Sequence, residues 1–90
     1  MNISGSVALV TGANRGIGRT LVEALVAKGA RKVYAGARDL STLQGLTTTH
    51  SGIVESIELD ITDHSAVARA ATACNDVELL INNAGINHNT

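Results

Sequence analysis

Four short apolar segments alternate with three amphipathic segments along this chain of 90 residues, and that alternation restricts its fold more than any other feature. The apolar segments cover residues 7–10, 32–37, 53–61 and 78–82. Short apolar runs are typical of buried strands, whereas the segments between them place apolar residues at helical spacing. Strands that alternate with helices predict an α/β fold, in which crossover helices connect the strands of a parallel sheet. Ninety residues suffice for one small domain.

The apolar pattern of each predicted strand indicates its place in the sheet. The first and last strands are the most continuously apolar, which is expected of central strands that are covered on both faces. The third alternates, with Ile57, Leu59 and Ile61 on one side and polar residues on the other, so we place it at an edge. Right-handed crossovers then give the strand order 3-2-1-4, the first part of a doubly wound sheet. Such sheets bind ligands at the carboxyl ends of the strands, where the winding reverses between strands one and four.

Three helices are predicted from apolar residues at helical spacing, and residues typical of helix ends bound them. Gly29 stops the first helix, Asp39 caps the start of the second, and Thr62 or Asp63 caps the third. The apolar positions are Ile17, Leu21, Val22, Leu25 and Val26, then Leu43 and Leu46, then Val67, Ala70, Ala71 and Cys74. Right-handed crossovers place the first two helices on one face of the sheet and the third on the other.

A glycine-rich turn joins the first strand to the first helix. Gly12 permits a tight turn, Gly16 lets the backbone approach a phosphate, and Gly18 allows the helix to pack closely on the sheet. The amino end of the helix adds free N–H groups and partial positive charge, which together favour a pyrophosphate. A flexible connector is the alternative interpretation. A P-loop is a poor match, because Ala13 and Arg19 stand where that motif needs glycine and lysine.

Composition excludes several other kinds of function. The net charge of −1 comes from seven basic and eight acidic residues, so no basic face for nucleic acid or membrane lipid is expected. Tyr34 is the only aromatic residue, which leaves no platform for base stacking. The single cysteine, Cys74, cannot form an internal disulfide and is predicted to be a small buried side chain. Without a signal peptide or a membrane-length apolar run, a cytoplasmic location is expected.

Three motifs occur in order, each at the end of a predicted strand. They are Thr-Gly-x-x-x-Gly-Ile-Gly from Thr11, Leu-Asp-Ile-Thr from Leu59, and Asn-Asn-Ala-Gly from Asn82. Together they resemble the short-chain dehydrogenase/reductase family, and the resemblance spans residues 5–87. It implies a Rossmann-like cofactor-binding domain, and the combination of three motifs is far more specific than any one of them.

The resemblance implies a dinucleotide site and a role for each matching residue. In the family, the glycine loop cradles the phosphates, the end of the third strand contacts adenine, and the Asn-Ala-Gly turn lines the ribose. The implied cofactor-binding residues are Gly12, Asn14, Arg15, Gly16, Ile17, Gly18, Arg38, Asp60, Ile61, Asn83, Ala84 and Gly85. Asn82 is expected to stabilise the centre of the sheet. Structural alternatives are that Asp60 caps the next helix and that Asn82 only satisfies backbone groups.

The residues after the second strand bear on which dinucleotide is bound. An acid about 20 residues after the glycines accepts the ribose 2′-hydroxyl of NAD, but Ala37 and Arg38 occupy that place here. Arg38 and Arg15 offer two planar forks of donors that suit a phosphate, and the pair resembles the family's NADP(H)-preferring pattern. We therefore expect NADP(H). In the alternatives, both arginines are solvated surface residues, or Asp39 accepts the ribose hydroxyl and favours NAD.

The Tyr-x-x-x-Lys pair that supplies the proton in this family is absent from these residues. Tyr34 is followed four positions later by Arg38, so no catalytic residue is assigned. Residues 1–90 are expected to form a partial dinucleotide-binding domain that lacks the catalytic portion of an oxidoreductase. The resemblance implies hydride transfer to or from a small carbonyl or alcohol substrate in the full-length form. A non-catalytic dinucleotide-binding sensor or interaction module is the alternative.

Strand four is predicted to be an edge strand with the composition of a covered one. In the order 3-2-1-4 it has one neighbour, yet Leu79, Leu80 and Ile81 carry no charge that would protect an edge. A single helix on its face of the sheet cannot cover four strands. We therefore expect an exposed apolar patch beside this strand, and self-association or a homo-oligomer as its consequence.

Overall fold

The computed structural model of the protein describes residues 3–13, 16–60 and 64–82. Strands and helices alternate as predicted. The strands are β1 (Val7–Thr11), β2 (Lys32–Ala37), β3 (Val54–Glu58) and β4 (Leu79–Asn82), and the α-helices are α1 (Gly16–Ala27), α2 (Gln44–Thr49) and α3 (His64–Ala73). A short 3₁₀ helix, Leu40–Leu43, leads directly into α2.

The four strands form one parallel sheet in the order β3-β2-β1-β4, which confirms the predicted order. Thr11, the last residue of β1, lies opposite Gly36 of β2 and Asn82 of β4. This register brings the carboxyl ends of the three strands level with one another. The segments that follow them therefore begin side by side at one edge of the sheet.

The third strand is shorter than the sequence predicts, because β3 ends at Glu58 rather than at residue 61. Its neighbour β2 ends at Ala37, whose carbonyl accepts the last bond of the ladder from the N–H of Leu59 at 2.9 Å. Because β2 ends at Ala37, it cannot extend its pairing with β3 any further. Ile57 and Leu59 do share the α3 side of the sheet, as the alternation predicted, and Ile61 lies outside the described residues.

The helices cover the two faces of the sheet unequally, as the crossovers predicted. Buried residues on the α1 and α2 face are Ala8, Val10, Ala13, Val22, Leu25, Ala30, Val33, Ala35, Ala37, Leu43, Leu46 and Val54. Buried residues on the α3 face are Val7, Leu9, Tyr34, Leu59, Ala70 and Cys74. Among the side chains that the structure describes, the sheet thus divides the aliphatic core expected from the composition into a larger part on the α1 and α2 face and a smaller part on the α3 face.

The inner face of α1 differs from the prediction at its first turn. Val22 and Leu25 are buried and Leu21 is partly buried, but the side chain of Ile17 is 60% exposed. Gly18 is buried in its place. Successive helical residues are rotated by about 100°, so a helix that turns Gly18 toward the sheet turns Ile17 away from it. Ile17 therefore does not share the buried face of α1 with the other apolar positions, and its exposed side chain lies at the amino end of the helix, where the resemblance implies a cofactor contact.

Both helix ends that can be compared with the sequence prediction are confirmed. Gly29 follows α1 with φ +91°, and its N–H donates to the carbonyl of Val26 at 3.0 Å. Asp39 precedes the 3₁₀ helix with extended backbone, and its side chain accepts from the N–H of Ser41. The predicted caps of α3, Thr62 and Asp63, lie outside the described residues.

On the α3 face, the only tyrosine connects the sheet to the segment that follows α3. Tyr34 is 7% exposed, and its hydroxyl donates to Asp76 Oδ1 at 3.1 Å. Cys74 is buried beside it, as the sequence predicted. Lys32 Nζ lies 5.3 Å from the centre of the tyrosine ring and 3.3 Å from Glu55 Oε2. These contacts fasten the start of β2 to its neighbours at the end of the sheet remote from the glycine turn.

This tyrosine predicts a loss of stability in alkaline solution. Burial, with the neighbouring Asp76 carboxylate, raises the pKa of Tyr34 above its ordinary value of 10.0. The unfolded chain therefore releases the tyrosine proton first, so the free energy of unfolding should fall as the pH rises above about 10. Glu55 raises the pKa of Lys32 and adds to the same trend. Urea unfolding across this range should show a shallower decline for Tyr34→Phe, and an unchanged decline would contradict the assignment.

β4 has an apolar side chain in solvent. Among the described strands it pairs with β1 alone. Leu79 and Ile81 pack against the core on the α1 and α2 face, which turns the intervening Leu80 to the α3 face. Leu80 is 61% exposed there. Leu80 is thus the exposed apolar side chain of β4, and the larger apolar patch beside this strand stays a prediction.

Candidate functional site

The candidate site lies at the carboxyl edge of the sheet, where three described segments with predicted cofactor-binding residues or alternatives to them begin. The glycine turn follows β1, Arg38 and Asp39 follow β2, and Asp60 lies just beyond β3. Strand order reverses between β1 and β4, which is the position at which doubly wound sheets bind ligands. Asn14, Arg15, Ile61, Asn83, Ala84 and Gly85 were also predicted to belong here, and they lie outside the described residues.

The start of the glycine turn is anchored to β2. Gly12 has φ +64°, a conformation that glycine adopts without strain. The N–H of Ala13 then donates to the carbonyl of Gly36 at 3.0 Å, and the Ala13 side chain is completely buried. Gly12 and Ala13 thus lie against the end of β2, and α1 begins at Gly16.

Gly16 opens α1 and leaves free space in front of its backbone. A Cβ atom built on Gly16 would meet nothing within 4 Å. Its φ is not positive, so another residue would adopt this backbone conformation without strain. No acidic residue lies in the first turn of this 12-residue helix. The amino end of α1 therefore offers N–H groups and partial positive charge to an approaching anion.

Thr11 is a residue of the site to which the sequence analysis gave no role. It is 5% exposed, and its hydroxyl makes a weak hydrogen bond of 3.5 Å to the carbonyl of Ile81. This contact joins the end of β1 to β4. A threonine directly ahead of the glycines, at the end of an otherwise apolar strand, was the signal that could have indicated it.

The two residues after β2 have different surroundings. Arg38 and Asp39 are both exposed. The Asp39 carboxylate accepts hydrogen bonds from the Ser41 hydroxyl at 2.7 Å and from the Ser41 N–H at 3.0 Å. These bonds lower the pKa of Asp39 below its ordinary value, and the carboxylate is charged at neutral pH. The edge of the site therefore carries an exposed guanidinium next to a carboxylate that already has donors.

Elsewhere, the described residues form neither a metal site nor a membrane-spanning helix. Within residues 3–13, 16–60 and 64–82, no group of three or more His, Cys, Asp or Glu side chains could hold a metal ion. No helix in these ranges is long and apolar enough to cross a membrane. Among the described residues, His50 Nε2 is buried and has no hydrogen-bond partner. His50 precedes β3 and so lies at the amino edge of the sheet, away from the candidate site, and its carbonyl accepts from the N–H of Val54.

Comparison with known proteins agrees with this geometry. The family model described as short chain dehydrogenase matches residues 6–90. L-xylulose reductase of Bos taurus is 42% identical over 86 residues, and carbonyl reductase [NADPH] 2 of Sus scrofa is 45% identical over 86 residues. A crystal structure of a short chain dehydrogenase from Burkholderia cenocepacia J2315, in complex with NADP, is 51% identical with a TM-score of 0.87.

The matches cover this chain almost completely and the other proteins only in part. The alignments with the two reductases cover 96% of this chain and 34% of each relative. The Burkholderia cenocepacia structure is matched over 98% of this chain and 35% of that one. The chain thus spans about a third of the length of these proteins, and the matched third contains the sheet edge described above.

Proposed function

Because this chain belongs to the short-chain dehydrogenase family, we propose that residues 1–90 supply the NADP(H)-binding part of an oxidoreductase that acts on a small carbonyl or alcohol compound. The observation that carries this proposal is the open space in front of Gly16, at the amino end of α1. It lies at the point where the strand order reverses. A pyrophosphate needs both the close backbone approach and the free N–H groups that this position offers.

Each part of the sheet edge has a distinct task in this proposal. The first turn of α1 binds the pyrophosphate through backbone N–H groups, the turn at Gly12 leads the chain from β1 to that helix end, and Gly18 keeps α1 close to the sheet. Arg38, together with Arg15, binds the 2′-phosphate, and the half-buried Asp60 borders the adenine. When bound, the nicotinamide of the cofactor supplies or accepts the hydride. These residues orient and retain the cofactor and take no part in proton transfer.

Two observations favour NADP(H) over NAD(H). The Asp39 carboxylate, which would have to accept the ribose 2′-hydroxyl of NAD, is engaged by Ser41. Arg38 is exposed immediately before it and can meet a phosphate with a planar fork of donors. The NADP complex of the Burkholderia cenocepacia protein, at 51% identity, supports the same choice.

Arg38→Asp tests this assignment in the complete protein that the gene encodes. A hydrogen bond to a charged group contributes roughly 1.5–3 kcal/mol, so the Kd for NADPH should rise by about ten- to a hundredfold. The Kd for NADH should change little, because NADH has no 2′-phosphate. Both constants can be measured by titration calorimetry.

Arg31→Asp is the matched control for this charge reversal. Arg31 is also exposed, but it precedes β2 and lies at the amino edge of the sheet. Arg31→Asp changes the net charge by the same amount as Arg38→Asp and should leave the Kd values for NADPH and NADH close to those of the wild type. If Arg38→Asp weakened NADPH and NADH equally, Arg38 would not bind the 2′-phosphate.

A further inference from the structure

The carboxylate of Asp39 is held in place by the residue two positions after it. Asp39 Oδ1 accepts from the Ser41 hydroxyl at 2.7 Å and from the Ser41 N–H at 3.0 Å. The backbone of Asp39 is extended, with φ −116° and ψ 109°, as is usual for a residue that caps a helix. The carboxylate is therefore turned toward the 3₁₀ helix that begins at Leu40.

The main chain of Asp39 is held separately, by Thr42. The Thr42 hydroxyl donates to the Asp39 carbonyl at 2.6 Å, and the Thr42 N–H donates to the same oxygen at 3.1 Å. Two adjacent hydroxyl side chains thus bind the same residue in different ways. Ser41 binds the carboxylate, whereas Thr42 binds only the carbonyl. This division allows the two effects to be separated by mutation.

The direction of the Asp39 carboxylate matters for the choice of dinucleotide. An acid about 20 residues beyond the glycine loop is placed to accept the ribose 2′-hydroxyl of NAD. A carboxylate released at this position would accept that hydroxyl. It would also repel a 2′-phosphate and compete for the guanidinium of Arg38, because both groups are negatively charged. A released carboxylate keeps this charge at neutral pH, because an aspartate is ionised there even at its ordinary pKa.

We propose that Ser41 is a positioning residue for cofactor choice: it holds the Asp39 carboxylate against the 3₁₀ helix and so leaves Arg38 to face the 2′-phosphate. This inference rests on the proposed binding of NADP(H) at this edge of the sheet. Ser41 itself touches neither the phosphate nor the ribose in this arrangement. Its effect is exerted through Asp39 and is visible in the ratio of the two affinities.

The test compares hydroxyl deletions at the two neighbouring positions in the complete protein. Ser41→Ala removes the 2.7 Å bond to the carboxylate and keeps the backbone bond, so the preference for NADPH over NADH should fall by roughly three- to tenfold. Thr42→Val removes a hydrogen bond of 2.6 Å from the same turn without releasing the carboxylate. It should leave the ratio of the two Kd values unchanged. Ser41→Thr keeps the hydroxyl and should restore the wild-type ratio.

A variant without the Asp39 carboxylate separates the effect of releasing that carboxylate from small changes in folding. In the double variant Ser41→Ala, Asp39→Asn, no carboxylate remains to be released, so the NADPH preference should return to at least the wild-type value. If Ser41→Ala and Thr42→Val lower the ratio equally in a protein that prefers NADPH, Ser41 is only structural and the inference is wrong. If the wild-type protein shows no preference for NADPH, the proposed cofactor is wrong and this inference fails with it.

Discussion

Gly16→Val should lower the affinity for NADPH and NADH alike, by at least about a hundredfold, which corresponds to roughly 3 kcal/mol of binding free energy. The fold should persist, because a Cβ atom at this position meets no protein atom within 4 Å. The new methyl groups would instead fill the space through which the pyrophosphate approaches the backbone of α1. Valine at this position should not strain the start of the helix either, because the φ of Gly16 is not positive.

Gly45→Val provides the matched control for this substitution. Gly45 also lies in the first turn of a helix, and a Cβ atom there comes within 3.0 Å only of the end of the flexible Arg19 side chain. Both variants place a β-branched residue at the start of a helix, but only Gly16 belongs to the candidate site. Titration calorimetry and circular dichroism would measure affinity and fold. Unchanged affinity in Gly16→Val would show that the glycine turn is only a connector.

Residues 1–90 prepared as an isolated polypeptide should show no reductase turnover with NADPH and a panel of carbonyl compounds. No Tyr-x-x-x-Lys sequence occurs in them, and the hydroxyl of Tyr34, on the α3 face, donates to Asp76. The same polypeptide should self-associate, because Leu80 is 61% exposed on a strand that pairs only with β1 among the described strands. Turnover above the rate without protein would show that catalysis does not need this pair.

Sedimentation of two variants, each with an added lysine, tests the expected self-association. Leu80→Lys should shift the polypeptide toward the monomer by weakening association at least about tenfold, since a buried charge at the contact is strongly unfavourable. Leu40→Lys changes the other strongly exposed leucine, which is 42% exposed and lies remote from β4, and should leave association unaltered. A wild-type polypeptide that sediments as a monomer would contradict the argument from the strand edge.

The sequence predicted the sheet well because the determinants of strand order are visible in single segments. The alternation at Ile57 and Leu59 placed β3 at the edge, and the continuous apolar run of β1 placed that strand inside the sheet. The apolar run of β4 predicted a strand covered on both faces, whereas among the described strands β4 lies at an edge and Leu80 is 61% exposed. The end of β3 was wrong because it depends on where β2 stops, which is a property of the pair. Apolar spacing grouped Ile17 with the buried residues of α1, but the rotation of the helix follows from packing Gly18 against the sheet and leaves Ile17 exposed.

The site was predictable only in part for a related reason. Motif spacing identified the glycine turn and Arg38, but the state of Asp39 depends on the short helix after it. The Asp-x-Ser pattern of Asp39 and Ser41 is a local capping signal that was available in the sequence and was not used for the cofactor argument. The contact between Thr11 and Ile81 joins residues 70 positions apart, so the local signal at Thr11 does not identify its partner.

The contact between Tyr34 and Asp76 gives this part of the protein a single-site optical reporter. These residues contain no tryptophan or phenylalanine, so their intrinsic ultraviolet emission comes from one ring of β2 that contacts the segment after α3. A carboxylate that accepts from a phenol hydroxyl quenches its fluorescence, so the emission should brighten when the two elements separate. A local opening of the α3 face would then be distinguishable from global unfolding without any attached label.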